Sequence, residues 1–445
     1  MRGGRISCEL YPPQLTDRAM NADFTLDTAR ALDVADPLSR FRDQFFIPQH
    51  DGEDCIYLTG NSLGLQPRAA ADALQVELDS WREHGVEGHF RGAHPWADYH
   101  ERFARGLAHL TGAQENEVVA MNALTTNLHL LLVSFYRPQG KRRKILAEAK
   151  AFPSDRYALV SQIRFHHGDP ATDLIELSPR PGEHTLRTVD IESAIQQAGD
   201  ELALVMMGGV NYYTGQRLDM RTITAAAAEV GALCGFDLAH AMGNVPMSLH
   251  EWGVDFACWC SYKYLNSGPG AVSGIYVHER HLGLTDIPRF EGWWGHDKKR
   301  RFLMEPDFHP IATAEAWQLS NAPVLNMAVH AVALDQFLEA GIDALRERGD
   351  RLTAYLEAAI HDVAERTGAE LEIITPTEVN QRGSQISLLA HGFGRQLFDD
   401  LTAAGVVADW REPNVIRMAP VPLYNSFSDL ARFHAILQHC ILKSH

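Results

Sequence analysis

Between about residue 70 and residue 320, short apolar runs alternate with amphipathic stretches. The apolar runs include Lys144–Ala147, Asp173–Leu177, Leu202–Met207, Leu233–Asp237 and Val272–Val277. Between them, Ala69–His84 and Asp155–His166 carry apolar residues at helical spacing. A strand with no polar face must be buried on both sides, so the alternation predicts an α/β domain whose sheet is largely parallel and covered by helices. After Pro323 the rhythm changes. Two long helical stretches, about 324–340 and 342–367, lead into short strands near 370–375, 384–389 and 414–418, then a last helix from about 427. That pattern predicts a smaller α+β domain over 321–445 beside a large domain over 71–320, with residues 23–70 packing on the smaller one. Residues 1–19 lack apolar periodicity and contain Tyr11-Pro12-Pro13, whereas helical spacing begins at Phe24. An N-terminal extension over 1–22 is therefore expected to be mobile, and Met20 to be a usable start. A cleft between two domains is a favourable place for a ligand.

The length of 445 residues suits two or three domains, and 45% hydrophobic residues supply a sizeable core. Lys plus Arg number 40 against 57 Asp plus Glu, for a formal charge of -17, which disfavours a polyanionic partner. The basic runs Lys141–Lys144 and Lys298–Arg301 read as solvated turns, so nucleic acid is not expected. Six scattered cysteines make no disulfide framework, and Cys258 and Cys260 read as core residues of a strand. No apolar run reaches transmembrane length and no leader pattern opens the chain, so a cytoplasmic enzyme without membrane contact is expected.

Chemistry concentrates between Asp237 and Gly270. Asp237 ends an apolar strand, where it serves either as a helix cap or as a functional carboxylate facing a ligand crevice. Lys263 follows between Tyr262 and Tyr264, ahead of a Gly-Pro-Gly turn, either as a snorkelling lysine or as a reactive amine. Together they point to pyridoxal phosphate, which needs a lysine for a Schiff base and a carboxylate opposite its pyridine nitrogen. Leu124-Thr125-Thr126-Asn127 opens a helical run and reads as an anion site or a plain cap. Phe152-Pro153-Ser154-Asp155 opens another, its aromatic ring available for stacking on a planar ligand or for a hydrophobic staple. The GxxxxGK[ST] and GxGxxG motifs are absent. In His278-Glu279-Arg280-His281 the histidines are one residue too close for HExxH, and no metal site is expected.

At this point the chain resembles the kynureninase family over about residues 40–440. The resemblance rests on Tyr57–Pro67, Met121–Thr125, Ala149–Asp155, Tyr213–Gln216, Asp237–Asn244, Tyr262–Gly270, Gly292–His296 and Arg417–Ser426. It implies a fold-type I pyridoxal-phosphate architecture with a mostly parallel seven-stranded sheet. It also implies hydrolysis of the Cβ–Cγ bond of L-kynurenine or 3-hydroxy-L-kynurenine to an anthranilate and L-alanine. By the resemblance Lys263 carries the Schiff base, Asp237 pairs with the ring nitrogen, Phe152 stacks on the ring and Asp155 lies near its polar edge. Leu124, Thr125, Pro153, Ser154, His240 and Tyr262 surround the cofactor, and Tyr262 is the expected acid–base group for the hydrated carbonyl. Arg417 is expected to clamp the substrate carboxylate. Ser62, His89 and Asn321 line the substrate's aromatic ring. The resemblance also implies a homodimer in which Trp293 and Asn321 are expected to come from the neighbouring subunit.

Two departures are visible: Gly208 where some relatives carry serine, and Trp294 where phenylalanine is common. The loss of the serine hydroxyl is expected to loosen cofactor binding slightly. A cysteine desulfurase is the alternative within the fold, but only Cys440 follows Lys263, in a helical pattern. A non-catalytic protein is disfavoured by the joint presence of Lys263, Asp237 and Arg417. Leu319–Pro323 and Gly88-His89 predict a kcat/KM for 3-hydroxykynurenine at least equal to that for kynurenine, because buried polar groups left unpaired against a bare ring are costly.

Overall fold

A computed structural model describes residues 23–444; the extension over 1–22, with Met20, lies outside the described residues. The larger sheet contains β1 (Val118–Ala120), β2 (Lys144–Glu148), β3 (Leu174–Leu177), β4 (Leu202–Gly208), β5 (Leu233–Asp237), β6 (Phe256–Trp259) and β7 (Gly274–Val277). Their order is β1-β7-β6-β5-β4-β2-β3. Only β7 runs against its neighbours, so the sheet is mostly parallel, as the apolar runs require. Its central strands β5 and β6 are buried except for the half-buried Leu233, and separate apolar cores lie on its two faces.

The helices that position the site are α1 (Leu26–Ala35), α2 (Ala70–His84), α3 (Leu124–Phe135), α4 (Pro153–Phe165), α5 (Val324–Ala340), α6 (Ile342–Thr367) and α7 (Phe427–Ser444). Helix α4 begins two residues before the apolar pattern indicates, because Pro153 has no N–H to lose in a first turn and its fixed φ suits one. Helix α5 packs Met327, Leu334 and Phe337 into the core of the larger sheet.

A second, antiparallel sheet contains β8 (Leu371–Ile373), β9 (Ile386–Ala390), β10 (Asp409–Arg411) and β11 (Val415–Met418), in the order β8-β9-β11-β10. Its core joins Leu352, Ile360, Ile416 and Leu437 to Ala29, Ile56 and Leu58 from the start of the described chain. The Asp33 carboxylate of α1 accepts the Phe427 and Ser428 N–H groups at 2.7 and 3.0 Å, capping α7. Strands β1 and β10 escape the apolar pattern because they are short, and β10 alternates charge instead of hydrophobicity. No helix among the described residues is long and apolar enough to cross a membrane.

Candidate active site

The carboxyl ends of β2, β4 and β5 open on one cavity, where an open α/β sheet presents its ligand crevice. Glu148, Gly208 and Asp237 line it from those strand ends, Leu124 and Thr125 from the start of α3, and Phe152, Ser154 and Asp155 from the start of α4. Val210, Tyr212, Ala239, His240, Tyr262 and Lys263 complete the wall. The loop holding Lys263 is set by close backbone packing. Gly64 donates to the Tyr262 carbonyl at 2.8 Å, and a Cβ at Gly64 would fall 2.5 Å from the Lys263 carbonyl oxygen. Only glycine permits that approach.

Lys263 Nζ lies 3.1 Å from His240 Nε2 and 5.9 Å from the centroid of each of the Phe152 and Tyr262 rings. Burial, then the charges of Lys263, Arg417 and Arg411, hold the His240 imidazole well below its ordinary pKa. A neutral ring there accepts a hydrogen bond from the lysine and places no second cation beside it. Asp237 Oδ1 accepts the Ala239 N–H at 2.7 Å, so the residue closes the turn after β5 while facing the cavity, and no helix starts there for it to cap. Burial and then the neighbouring Asp237 carboxylate push Asp155 well above the carboxylate range. Two such acids side by side retain a proton between them. Burial likewise raises Glu148, which accepts from Asn211 Nδ2 at 2.9 Å, and raises the Tyr262 phenol.

Helix α3 starts at Leu124 behind Ala123, whose side chain caps nothing, so Thr125 stands inside the first turn and is not the cap. The uncapped amides of that turn suit an anion. Phe152 is 40% exposed and meets Tyr212 edge-on at 5.4 Å, leaving its face available to a planar ring.

Arg417, in β11, is 1% exposed. Its Nη1 donates to the Tyr212 carbonyl at 2.6 Å and its Nε to Asp409 Oδ1 at 3.2 Å. Nη2 stands 2.8 Å from Asp409 Oδ2 but has no aligned hydrogen-bond acceptor. A buried guanidinium with an unused donor is prepared for an anionic ligand.

A family model described as the kynureninase C-terminal domain matches residues 345–437. A kynureninase of Christiangramia forsetii is 52% identical over 423 residues, covering 95% of this chain and 100% of that protein. One of Myxococcus xanthus is 53% identical over 411 residues, 92% of this chain and 96% of its own length. This chain belongs to the kynureninase family. Among solved structures, the cysteine desulfurase CsdA of Escherichia coli superposes with a TM-score of 0.71 at 16% identity, covering 92% of this chain and 98% of that one. The cystine C-S lyase C-DES gives 0.70 at 17% identity, over 86% and 97%. These two likenesses show the shared fold.

The cofactor of this kynureninase-family chain is pyridoxal phosphate, and the cavity fits it. Lys263 would offer the amine, Asp237 with Asp155 beside it would face the ring nitrogen, and the first turn of α3 would offer amides to the phosphate. Asp155 Oδ1 and His240 Nδ1 are buried there without partners, as a site shaped for a polar group leaves them.

Not every residue implied by the resemblance lines this cavity. Pro153 begins α4 beside it. Ser62 is half-buried and bonds through its N–H to the Thr59 carbonyl. His89 Nδ1 lies 3.0 Å from the Val86 carbonyl, and its ring meets Trp96 edge-on. Trp293 is 47% exposed and donates to the Arg301 carbonyl at 3.0 Å, while Asn321 is exposed. Conversely, Glu148, Val210 and Tyr212 line the cavity although no motif marks them. Glu148 ends a strand just as Asp237 does, and the strand-end rule alone would have found it.

Distant histidines also meet elsewhere. Glu117 Oε1 lies 2.9 Å from His250 Nδ1 and 3.7 Å from His278 Nδ1, a grouping invisible as sequence spacing. The Glu117 carboxylate already accepts the Glu279 and Gln114 N–H groups at 2.7 and 2.8 Å, and so works as a backbone cap.

Proposed function

We propose that this chain hydrolyses the Cβ–Cγ bond of L-kynurenine and 3-hydroxy-L-kynurenine, releasing anthranilate or 3-hydroxyanthranilate and L-alanine. The observation that carries this reading is the meeting of Lys263, His240 and the Asp155–Asp237 pair in one cavity whose Tyr212 wall holds the half-satisfied Arg417. When bound, pyridoxal phosphate supplies an electron sink for the bonds to be broken at the substrate's Cα and Cβ. Arg417 binds the α-carboxylate, and Lys263 moves the proton at Cα with the neutral His240 beside it. Asp237 and Asp155 hold the proton at the ring nitrogen. Tyr262, its phenol kept protonated by burial, moves a proton at the γ-carbonyl oxygen as water adds there.

A desulfurase reading finds no support in the cysteines. Those among the described residues are all buried, and Cys440 lies in α7. We place the enzyme in tryptophan catabolism in the cytoplasm, with a route to NAD biosynthesis through the hydroxylated product. We divide the chain into a large domain over 71–320 and a smaller one over 321–445, with 23–70 packing on the latter through Ala29, Ile56 and Leu58, while α5 lies in the core of the larger sheet. We also assign a homodimer in which Trp293 and Asn321 complete the partner's site, with Ser62, His89 and Asn321 around the aromatic ring. Exposed apolar residues support it: Trp293 packs edge-on to Phe302 at 5.4 Å, Phe302 lies 6.4 Å from Phe90, and Leu303 and Met304 are open beside them.

Turnover by purified protein tests the reading. Kynurenine should release anthranilate and alanine in equal amounts, with kcat/KM for the 3-hydroxy substrate at least as high. A bound yellow cofactor without turnover of either substrate refutes the activity. A clear preference for kynurenine, unchanged when His89 and Asn321 are replaced by smaller residues, refutes the predicted selectivity.

A further inference from the structure

Three charged side chains share one face of the smaller sheet. Asp409 and Arg411 stand two residues apart in β10 and so point the same way. Asp409 lies directly across from Arg417 in β11. Its carboxylate is therefore divided between two guanidinium groups. Arg417 approaches it as described above, while Arg411 Nη2 donates to Oδ2 at 3.2 Å and Arg411 Nε stands 2.9 Å from Oδ1. Two positive charges against one negative leave one positive charge uncompensated beside the cavity. The Tyr212 carbonyl that anchors Arg417 belongs to a cavity-lining residue, which holds that charge against the cavity wall.

This inference rests on the reading of Arg417 as the substrate-carboxylate clamp. We propose that Arg411 is a specificity-determining positioning residue: by holding Asp409 it leaves the Arg417 guanidinium free to bind the carboxylate of an α-amino-acid substrate. Arg417 paired with Asp409 alone would present a neutral ion pair, and an incoming carboxylate would have to displace the counter-ion. With Arg411 as the second holder, Asp409 keeps a partner when Arg417 turns its fork to the substrate. Such a transfer leaves no buried charge unpaired at any stage. Arg411 suits the role because β10 is the sheet's edge strand and its side chain retains 34% of its exposure, so water shares its solvation.

The test compares kynurenine with its decarboxylated amine, a competitor that lacks only the carboxylate. Arg411→Gln is expected to raise KM for kynurenine on the order of tenfold with kcat nearly unchanged, as loss of uniform binding does. The inhibition constant of the amine should stay as in the parent. Adding Asp409→Asn to Arg411→Gln should restore KM, because one uncompensated guanidinium remains in the double variant as in the parent. Arg411→Lys keeps the charge and should hold KM within about threefold. The inference is overturned if Arg411→Gln leaves KM unchanged, weakens both ligands alike, or is not rescued by Asp409→Asn. A loss in Arg411→Lys as large as in Arg411→Gln overturns it too. Should Arg411→Gln fail to fold, the double variant and Arg411→Lys carry the decision. Arg417→Gln separates the two levels. If that variant still favours kynurenine over the amine as the parent does, the clamp itself is wrong. If it loses the preference while Arg411→Gln keeps it, only the role of Arg411 falls.

Discussion

Lys263 is the one amine in the cavity wall, with the His240 imidazole 3.1 Å away and Glu148, Asp155 and Asp237 in the same wall. Lys263→Ala is expected to abolish both turnover and the visible absorbance of the bound cofactor while the far-UV circular dichroism stays unchanged. A borohydride-reducible link in that variant would move the anchor to another lysine. Asp237→Ala should keep part of the bound cofactor and lose most turnover, since the ring nitrogen would no longer hold its proton. A second residue-scale expectation concerns His330, which is fully buried, stacks on Phe103 and lies 2.8 Å through Nδ1 from Ser267 Oγ. Burial lowers its pKa from 6.5 to about 4. Between those values the unfolded chain binds the extra proton and the folded chain does not. Its contribution is therefore full above about pH 6.5, is lost as the pH falls towards about 4, and levels off below. Thermal melts of His330→Gln should show a flatter decline than the parent across that window; parallel declines would refute the assignment. At this scale Lys263 and Asp237 were legible as candidates because cofactor chemistry demands those residue types, and the structure brings both into one cavity. Tyr212 was not, because it anchors Arg417 through a backbone carbonyl that every residue possesses.

Elements built from strong periodicity came out as their patterns require. The helices 324–340 and 342–367 and the strand Leu233–Asp237 have the bounds that apolar spacing indicates, since burial of a continuous stripe or run fixes where each must stop. Elements whose residues are held by charge did not. Strand β10 sets Asp409 across the ladder from Arg417 and Arg411 across from Val415, and no hydrophobic alternation announces it. The join between α1 and α7 is of the same kind. Asp33 caps a helix that begins nearly four hundred residues later, and it also accepts from the Ser428 hydroxyl at 2.6 Å. Asp33→Ala should cost about 1–2 kcal/mol in urea unfolding, the usual cost of a lost cap, with KM unaffected. An unchanged midpoint would show that the contact contributes nothing to stability.

For the whole molecule, the proposed homodimer predicts that two copies complete one another's sites. If Lys263 of one subunit works with Trp293 of the other, mixed dimers of Lys263→Ala and Trp293→Ala chains hold one intact site and one doubly damaged site. Random reassembly of equal amounts should then recover about a quarter of parental activity from two impaired proteins. Recovery no greater than the average of the two variants alone would refute shared sites. The sequence by itself determined the parallel sheet, the later α+β unit and the residues whose chemical type the cofactor dictates. It could do so because hydrophobic period and functional-group identity are local properties, readable one position at a time. Only the tertiary structure decided that Glu148 and Tyr212 line the cavity, that Asp155 lies against Asp237, and that Asp409 is shared between Arg411 and Arg417. Those facts depend on which strand ends and loops converge, and proximity in space sets charge balance and proton affinity without leaving a pattern along the chain.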